Sequence, residues 1–188
     1  MACSLTSARG LACKDKVGGV KAIYLADFNP LAYAAMTFTS GTWTAYGAVN
    51  YTMYRYDVRP NTSGLVCDVT NEDAGSAAYV AKASVTLHKA TQTDNNELQK
   101  LIQGRVFCWV LDANDQLWMM GAANGCVVKT AQLSIGTART DLHGYTLEIT
   151  ADEAAFPIAV TPSTDPADAD WPFDGLTGTG TITVTNPA

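Results

Sequence analysis

No lysine or arginine follows Arg139, although that last part of the chain carries eight carboxylates: Asp141, Glu148, Asp152, Glu153, Asp165, Asp168, Asp170 and Asp174. All 12 basic residues lie at or before Arg139, and the net charge is −6. No basic patch or stripe forms, which disfavours tight binding to a phosphate backbone. Long apolar runs are missing as well. Even a run as long as any, Val106-Phe107-Cys108-Trp109-Val110-Leu111, is far too short to cross a bilayer. The opening MACSLTSARGLAC has neither a basic leader nor an apolar stretch of secretion-signal length. The expectation is a protein made in a cytoplasm, with no membrane partner.

Catalytic signatures are missing too. There is no Gly-x-Ser-x-Gly elbow, no phosphate-cradling glycine loop and no His-Glu-x-x-His. Gly178-Thr179-Gly180 precedes a strand pattern, whereas a nucleotide fingerprint opens a helix. Cys3, Cys13, Cys67, Cys108 and Cys126 contain no Cys-x-x-Cys, and neither His88 nor His143 stands at ligand spacing from them. Cys108 and Cys126 fall in apolar strand patterns, where a thiol behaves as a small hydrophobe. Asp112-x-Asn114-Asp115 and Asp165-x-x-Asp168-x-Asp170 lack the glycine and closing glutamate of a calcium loop. The reading is therefore no catalytic residue, no metal and no cofactor.

What the chain does have is alternation. With 188 residues, 47% hydrophobic and 16% charged, it can bury one sizeable core. Strand patterns cover 17–28, LVCDV, 78–89, RVFCWVL, QLWMMG, CVVKTAQLSI, 145–150 and GTITVT. Val106–Leu111 is apolar on both faces, so it belongs at the centre of a sheet. Tyr145, Leu147 and Ile149 face one way, and Thr146, Glu148 and Thr150 the other, giving one dry face and one wet. In 78–89, Tyr79, Ala81, Ala83, Val85 and Leu87 point inward, leaving His88 on the wet face with Ser84 and Thr86.

One helix is expected over 94–103, capped by Asp94 with Glu97 reaching back, and closed by Gly104. Leu98, Leu101 and Ile102 form its apolar stripe. Residues 29–60 read as a long hairpin turning at Ser40-Gly41. Met36, Phe38, Trp43, Tyr46 and Tyr51 exceed what one small core takes in, which suggests an exposed interface. Beyond Phe156 a Pro- and Asp-rich stretch reads as an arm. The fold class is mainly β: a small barrel or sandwich with one flanking helix and a long extended hairpin loop.

The order of strands, capped helix, Trp-containing hairpin and a closing strand at TDLHGYTLEITADEAAFP resembles the phage tail tube (major tail) proteins. The likeness extends over roughly residues 17–157 and rests on pattern alone. That family is related in fold to the tube rings of contractile-injection and secretion systems. The resemblance implies a subunit that closes into six-membered rings and stacks them into a virion tail tube. Residues 1–16 would be an N-terminal arm, 17–157 the tube domain and 158–188 a C-terminal arm. Met36, Phe38, Trp43, Tyr46 and Tyr51 would stack ring on ring, while Thr146, Glu148 and Thr150 would line a channel. Its partners would be copies of itself and other tail or neck proteins, with DNA passing through unheld. The alternatives are another virion β-protein (head decoration, neck, tail completion or adhesin-like) or a small ligand-binding barrel.

Overall fold

A strand without a polar face needs cover on both sides, and Val106–Leu111 has it: these six residues are all buried. The structure is a computed structural model describing residues 9–10, 14–59, 61–71 and 77–187. Its elements run β1 (Val20–Asp27), α1 (Pro30–Ala34), β2 (Thr37–Thr39), β3 (Thr42–Gly47) and β4 (Tyr51–Asp57). Then come β5 (Gly64–Asn71), β6 (Ala77–His88), α2 (Gln92–Gln103), β7 (Val106–Asp112) and β8 (Leu117–Met120). The chain ends with β9 (Val127–Ser134), β10 (Gly144–Glu153), β11 (Ile158–Val160), β12 (Thr177–Gly178) and β13 (Ile182–Thr185). The fold is mainly β, a sandwich of two sheets flanked by α2.

Sheet A has the order β12-β3-β11-β8-β7-β1-β4-β13, with β2 added to β3; sheet B is β5-β6-β10-β9. In sheet A, β1 and β7 pair so that Tyr24 stands opposite Trp109 and Ile23 opposite Val110. Alternation then sends the two sets to separate cores. Ile23, Leu25, Val106, Cys108 and Val110 meet Ala83, Val85, Leu147 and Ile149 of sheet B in an aliphatic layer. Tyr24, Phe107 and Trp109 join Trp43, Tyr51 and Phe173 in an aromatic core on the far face. Trp43 and Trp109 stack with centroids 5.8 Å apart, and Phe173 meets Trp109 edge-on at 5.6 Å.

The aromatic core corrects the reading of 29–60. The hairpin turn does fall at Ser40-Gly41, whose φ values of 52° and 79° are those of a type I′ turn. The segment is folded inward, however, and not extended. Asn29 caps the single turn of α1 through its Oδ1, which accepts the Leu31 N–H. Met36, Trp43, Tyr46 and Tyr51 are all buried in the subunit's own core, with Phe38 packed against it. The aromatics do not exceed what the core takes in, because sheet A has a second face to cover.

The C-terminal stretch is the second correction. Phe173, Leu176 and Ile182 are buried in the aromatic core. Residues 177–185 run parallel to residues 45–54, pairing first with β3 and then with β4. Between the two ladders the Gly47 carbonyl accepts N–H groups from Thr179 and Gly180, and the Thr181 carbonyl accepts from Tyr51. Both ends of sheet A thus lie on one run of chain, although no ladder joins β3 directly to β4. Gly180 is required here, since a Cβ at that position would collide with the Val49 carbonyl.

The helix starts earlier than its sequence suggests. Thr91 is the N-cap: its Oγ1 accepts the Asp94 N–H at 3.2 Å and donates to the Asp94 carboxylate at 2.7 Å. The cap thus sits three residues ahead of the Asp94–Glu97 pairing, and the Asp94 carboxylate holds the Thr91 hydroxyl where a capping box would hold the N-cap backbone N–H. Leu98 is buried and Leu101 partly so, while Ile102 is largely exposed.

Candidate functional site: the outer face and edges of sheet B

Sheet B presents the wet face that alternation predicts. β10 is flanked by β6 and β9, so Thr146 lies between Thr86 and Gln132, and Glu148 between Ser84 and Thr130. Thr150 lies between Lys82 and Val127, beyond a one-residue slip in the β9–β10 register. Of the three expected lining residues, Thr146 is exposed and Glu148 half-buried, but Thr150 is buried within the subunit. Two cations share this face. Lys82 donates to Asp68 at 2.6 Å, and Lys129 stands 3.9 Å from Glu148. The hydrogen bond and charge of Asp68 raise the Lys82 pKa, with a smaller contribution from Glu148. The face is therefore of mixed sign, with Asp68, Glu148 and Asp152 against Lys82 and Lys129. Lys82 was legible as a member of this set, since it alternates with Ser84, Thr86 and His88.

The edges of the sheet are open. Among the described residues β5 pairs only with β6, and β9 only with β10. Every neighbouring pair in the sheet is antiparallel, so β5 and β9 run in opposite directions. Both edges carry exposed apolar side chains: Val66 and Val69 on β5, Val127 and Leu133 on β9. Leu133 stands opposite Tyr145 and so points to the dry side of the sheet. Beyond β9, Ile135 is 70% exposed.

The residues that resemble catalytic groups hold turns together. The His143 carbonyl accepts the Lys89 N–H, and its Nδ1 accepts the Ala90 N–H at 3.3 Å. The Asp141 carboxylate accepts the N–H groups of Ala138 and Thr137, which lower its pKa. Tyr145 Oη donates to Asn95 Oδ1 at 2.5 Å, tying β10 to the first turn of α2. Gly144 admits no side chain, because a Cβ would strike the Leu87 carbonyl. Asp112 Oδ1 accepts the N–H groups of Asn114 and Gln116 and so builds the β7–β8 turn. Among the described residues no group of three or more His, Cys, Asp or Glu side chains is placed to hold a metal ion. Cys108 and Cys126 are buried free thiols, and Cys67 is a half-buried one; Cys3 and Cys13 lie outside the described residues.

Two clefts adjoin α2. One of about 650 Å³ lies between the helix and β4, lined by Tyr54, Tyr56, Asp94 and Glu97, among others; a smaller one of about 400 Å³ shares Tyr54, Tyr56 and Glu97 with it. Burial raises the Tyr56 pKa, with the Glu97 and Asp94 carboxylates adding to the effect. No helix among the described residues is long and apolar enough to cross a membrane. Comparison of the chain with protein-family models, with curated proteins and with solved structures found no match.

Proposed function

We propose that the chain is a structural subunit that closes with copies of itself into rings, stacked as a tube of the phage-tail kind. DNA passes along such a tube without being held, and the subunit is no enzyme. The observation that carries this reading is the pair of open, oppositely directed edges on sheet B. A copy related by rotation about an axis along the strands keeps its strand directions. Its β5 then meets β9 of its neighbour as one more antiparallel ladder. Unpaired strand edges are a liability in a lone subunit, and a closed ring of heterologous contacts removes them. Six copies per ring, neighbouring tail or neck proteins and a place in the virion follow from the family resemblance. The stacking surface lies elsewhere than Met36, Trp43, Tyr46 and Tyr51, which the subunit needs for its own core.

Electron microscopy of the purified chain, alone and with a tail-tip initiator, tests the reading. Rings or tubes are expected. Leu133→Lys puts a charge on the dry side of the β9 edge and should abolish them while leaving the subunit folded. A chain that stays monomeric at high concentration beside the initiator would overturn the reading.

A further inference from the structure

One of the two open edges borders a cavity. About 560 Å³ of space lies between β5 and sheet A, lined by Val20, Leu65, Cys67, Val110, Trp118 and Phe156, among others. The β5–β6 register sets Leu65 opposite Ala83 and Cys67 opposite Ala81. Both alanines are buried in the layer between the sheets. The cavity therefore opens on the dry side of sheet B, at its β5 edge. The β9 edge carries apolar side chains on that same side. Leu133 stands opposite Tyr145 and Ala131 opposite Leu147, and Ile135, two residues on from Leu133, continues the parity. Leu133 and Ile135 are both exposed. A lone subunit thus shows branched apolar side chains at one edge and an apolar hollow at the other, and such exposed groups mark an interface.

Hollow and side chains face the same way when copies are related by rotation about an axis along the strands, because every copy then turns its dry side outward. Pairing dry residues with dry residues leaves few registers, since a slip of one residue would flip every side chain. One register sets Leu133 opposite Cys67, Ile135 opposite Leu65 and Ala131 opposite Val69. Both branched side chains then lie over lining residues of the cavity. A shift of two residues one way carries Leu133 to Val69, which is not part of the lining. The opposite shift carries Ile135 past the start of β5 to Ser63, whose hydroxyl already accepts the Thr86 N–H.

We propose that Leu133 and Ile135 of one copy seat in the cavity beside β5 of the next, with Leu133 opposite Cys67 and Ile135 opposite Leu65. Two four-carbon side chains need roughly 240 Å³ at about 30 Å³ per water-sized group, so the space admits both. Main-chain ladder bonds supply affinity between strands, and pockets for alternate side chains supply the selectivity. The inference rests on the assembly reading and adds the side chains that fix the register between subunits.

Two measurements on the full chain test the seating. Directly opposed residues of paired strands hold their Cβ atoms about 4.5–5.5 Å apart, close to the span of a disulfide. Oxidation of assembled Leu133→Cys with copper phenanthroline should therefore link Cys67 to position 133, giving a ladder of joined chains and one cross-linked peptide. Ala131→Cys, displaced by roughly 7 Å along the strand, should not link to Cys67. Within one chain the two positions lie on opposite edges of sheet B, three strand spacings or roughly 14 Å apart, so any such bond joins two copies. Where Leu133→Cys assembles poorly, a filling variant decides. Cys67→Trp occupies the cavity and should block assembly of a folded subunit, whereas Val66→Trp, on the wet side of the same strand, should not. Tubes that link through position 131 and not 133, or Cys67→Trp tubes that form as in the unaltered chain, would overturn the seating and leave the assembly reading intact. Linked open pairs that never close into rings would uphold the seating and sink the ring. A chain that shows no association at all would overturn both.

Discussion

Sheets A and B settle the same problem in opposite ways. Sheet A has central strands, β1 and β7, that are dry on both faces, and its two ends lie on the single run 177–185. Sheet B is dry on one face only, and among the described residues β5 and β9 leave it open at both edges. The aromatics follow that division: Trp43, Trp109, Phe107 and Phe173 all lie in the core on the far side of sheet A. The layer between the sheets is mostly aliphatic, with Ala81, Ala83 and Ala151 among its members and Tyr145 its buried aromatic. Stability is concentrated where the chain completes itself, and sheet B is the part left for something else to complete.

The largest expected effect comes from removing the plug of sheet A. Phe173 is fully buried, packed against Tyr24, Trp43 and Trp109. Phe173→Ala should cost about 3–5 kcal/mol, a large part of the roughly 5–15 kcal/mol that holds a domain together. The melting temperature should fall by about 2–4 °C for each kcal/mol in a chain of this size. Trp43→Ser belongs to the same class and should unfold the subunit rather than spare it. A loss below about 1 kcal/mol for Phe173→Ala, in the range of a surface change, would show that the C-terminal segment is not a structural part of sheet A.

Alkali should distinguish the sheets next. Burial raises the pKa of both Tyr24 and Tyr51 to about 12, with the Arg55 charge lowering and Asp57 raising that of Tyr24. The folded chain keeps these protons between about pH 10 and 12, where the unfolded chain releases them. Stability is therefore fully present below pH 10 and is lost as pH rises towards 12. The two tyrosines should differ at neutral pH. Tyr51 Oη donates to the Ala32 carbonyl at 2.9 Å, whereas Tyr24 Oη is buried without a partner among the described residues. Tyr51→Phe orphans an acceptor and should cost about 1 kcal/mol, while Tyr24→Phe should be neutral or stabilising. Denaturant titrations at pH 7 and pH 11 check both. A Tyr24→Phe loss as large as that of Tyr51→Phe would mean that Tyr24 Oη has a partner.

A smaller effect is expected at the loop that carries Phe173. Asp174 is pushed up in pKa by desolvation, but hydrogen bonds from Ser163, Thr164 and Asp165 outweigh this and leave it at about 2. Its Oδ2 accepts Thr164 N–H, Thr164 Oγ1–H and Asp165 N–H at 2.7–3.0 Å. Its contribution is present above pH 3.8 and disappears as pH falls through 2. Asp174→Ala should cost about 1–2 kcal/mol at neutral pH and nothing more at pH 2. A neutral-pH loss that persists undiminished at pH 2 would point to packing instead of charge.

Much of this was legible because it is local. Val106–Leu111 has no polar face and can only be central; the Ser40-Gly41 turn and the alternation of β6 and β10 are patterns within a few residues. The pairing of 177–185 with 45–54 joins segments more than 130 residues apart in parallel, and no local pattern announces it. Phe173 and Leu176 were visible as apolar residues three apart, but the surrounding Pro and Asp residues gave the stretch the look of an arm. The 29–60 aromatics were misplaced for a related reason. Alternation shows that a strand has an apolar face, but not whether the same chain supplies the cover. On the helix, Asp94 and Glu97 fit a capping box on paper, yet Thr91 offers an uncharged cap one turn earlier, and its hydroxyl serves Asp94 itself.

The smallest effect on stability, and the sharpest test of what sheet B faces, is Glu148→Lys. Its ion pair with Lys129 spans 3.9 Å with side chains 35% and 62% exposed, and a pair of that kind contributes about 0–1 kcal/mol. The subunit should fold and assemble as before. What changes is charge: each copy gains two positive units on a face where Asp68, Glu148 and Asp152 now offset Lys82 and Lys129. Repeated round a ring, that turns a nearly balanced wall into a basic one, and a basic wall holds a phosphate backbone through released counterions. Assembled Glu148→Lys tubes should retain double-stranded DNA at low salt and release it steeply as salt rises, whereas unaltered tubes retain none. If the variant tubes bind no more DNA than the parent, the wet face of sheet B does not line the channel. Sheet A would still be the finished sheet, and the open edges of sheet B would need a partner on some other surface.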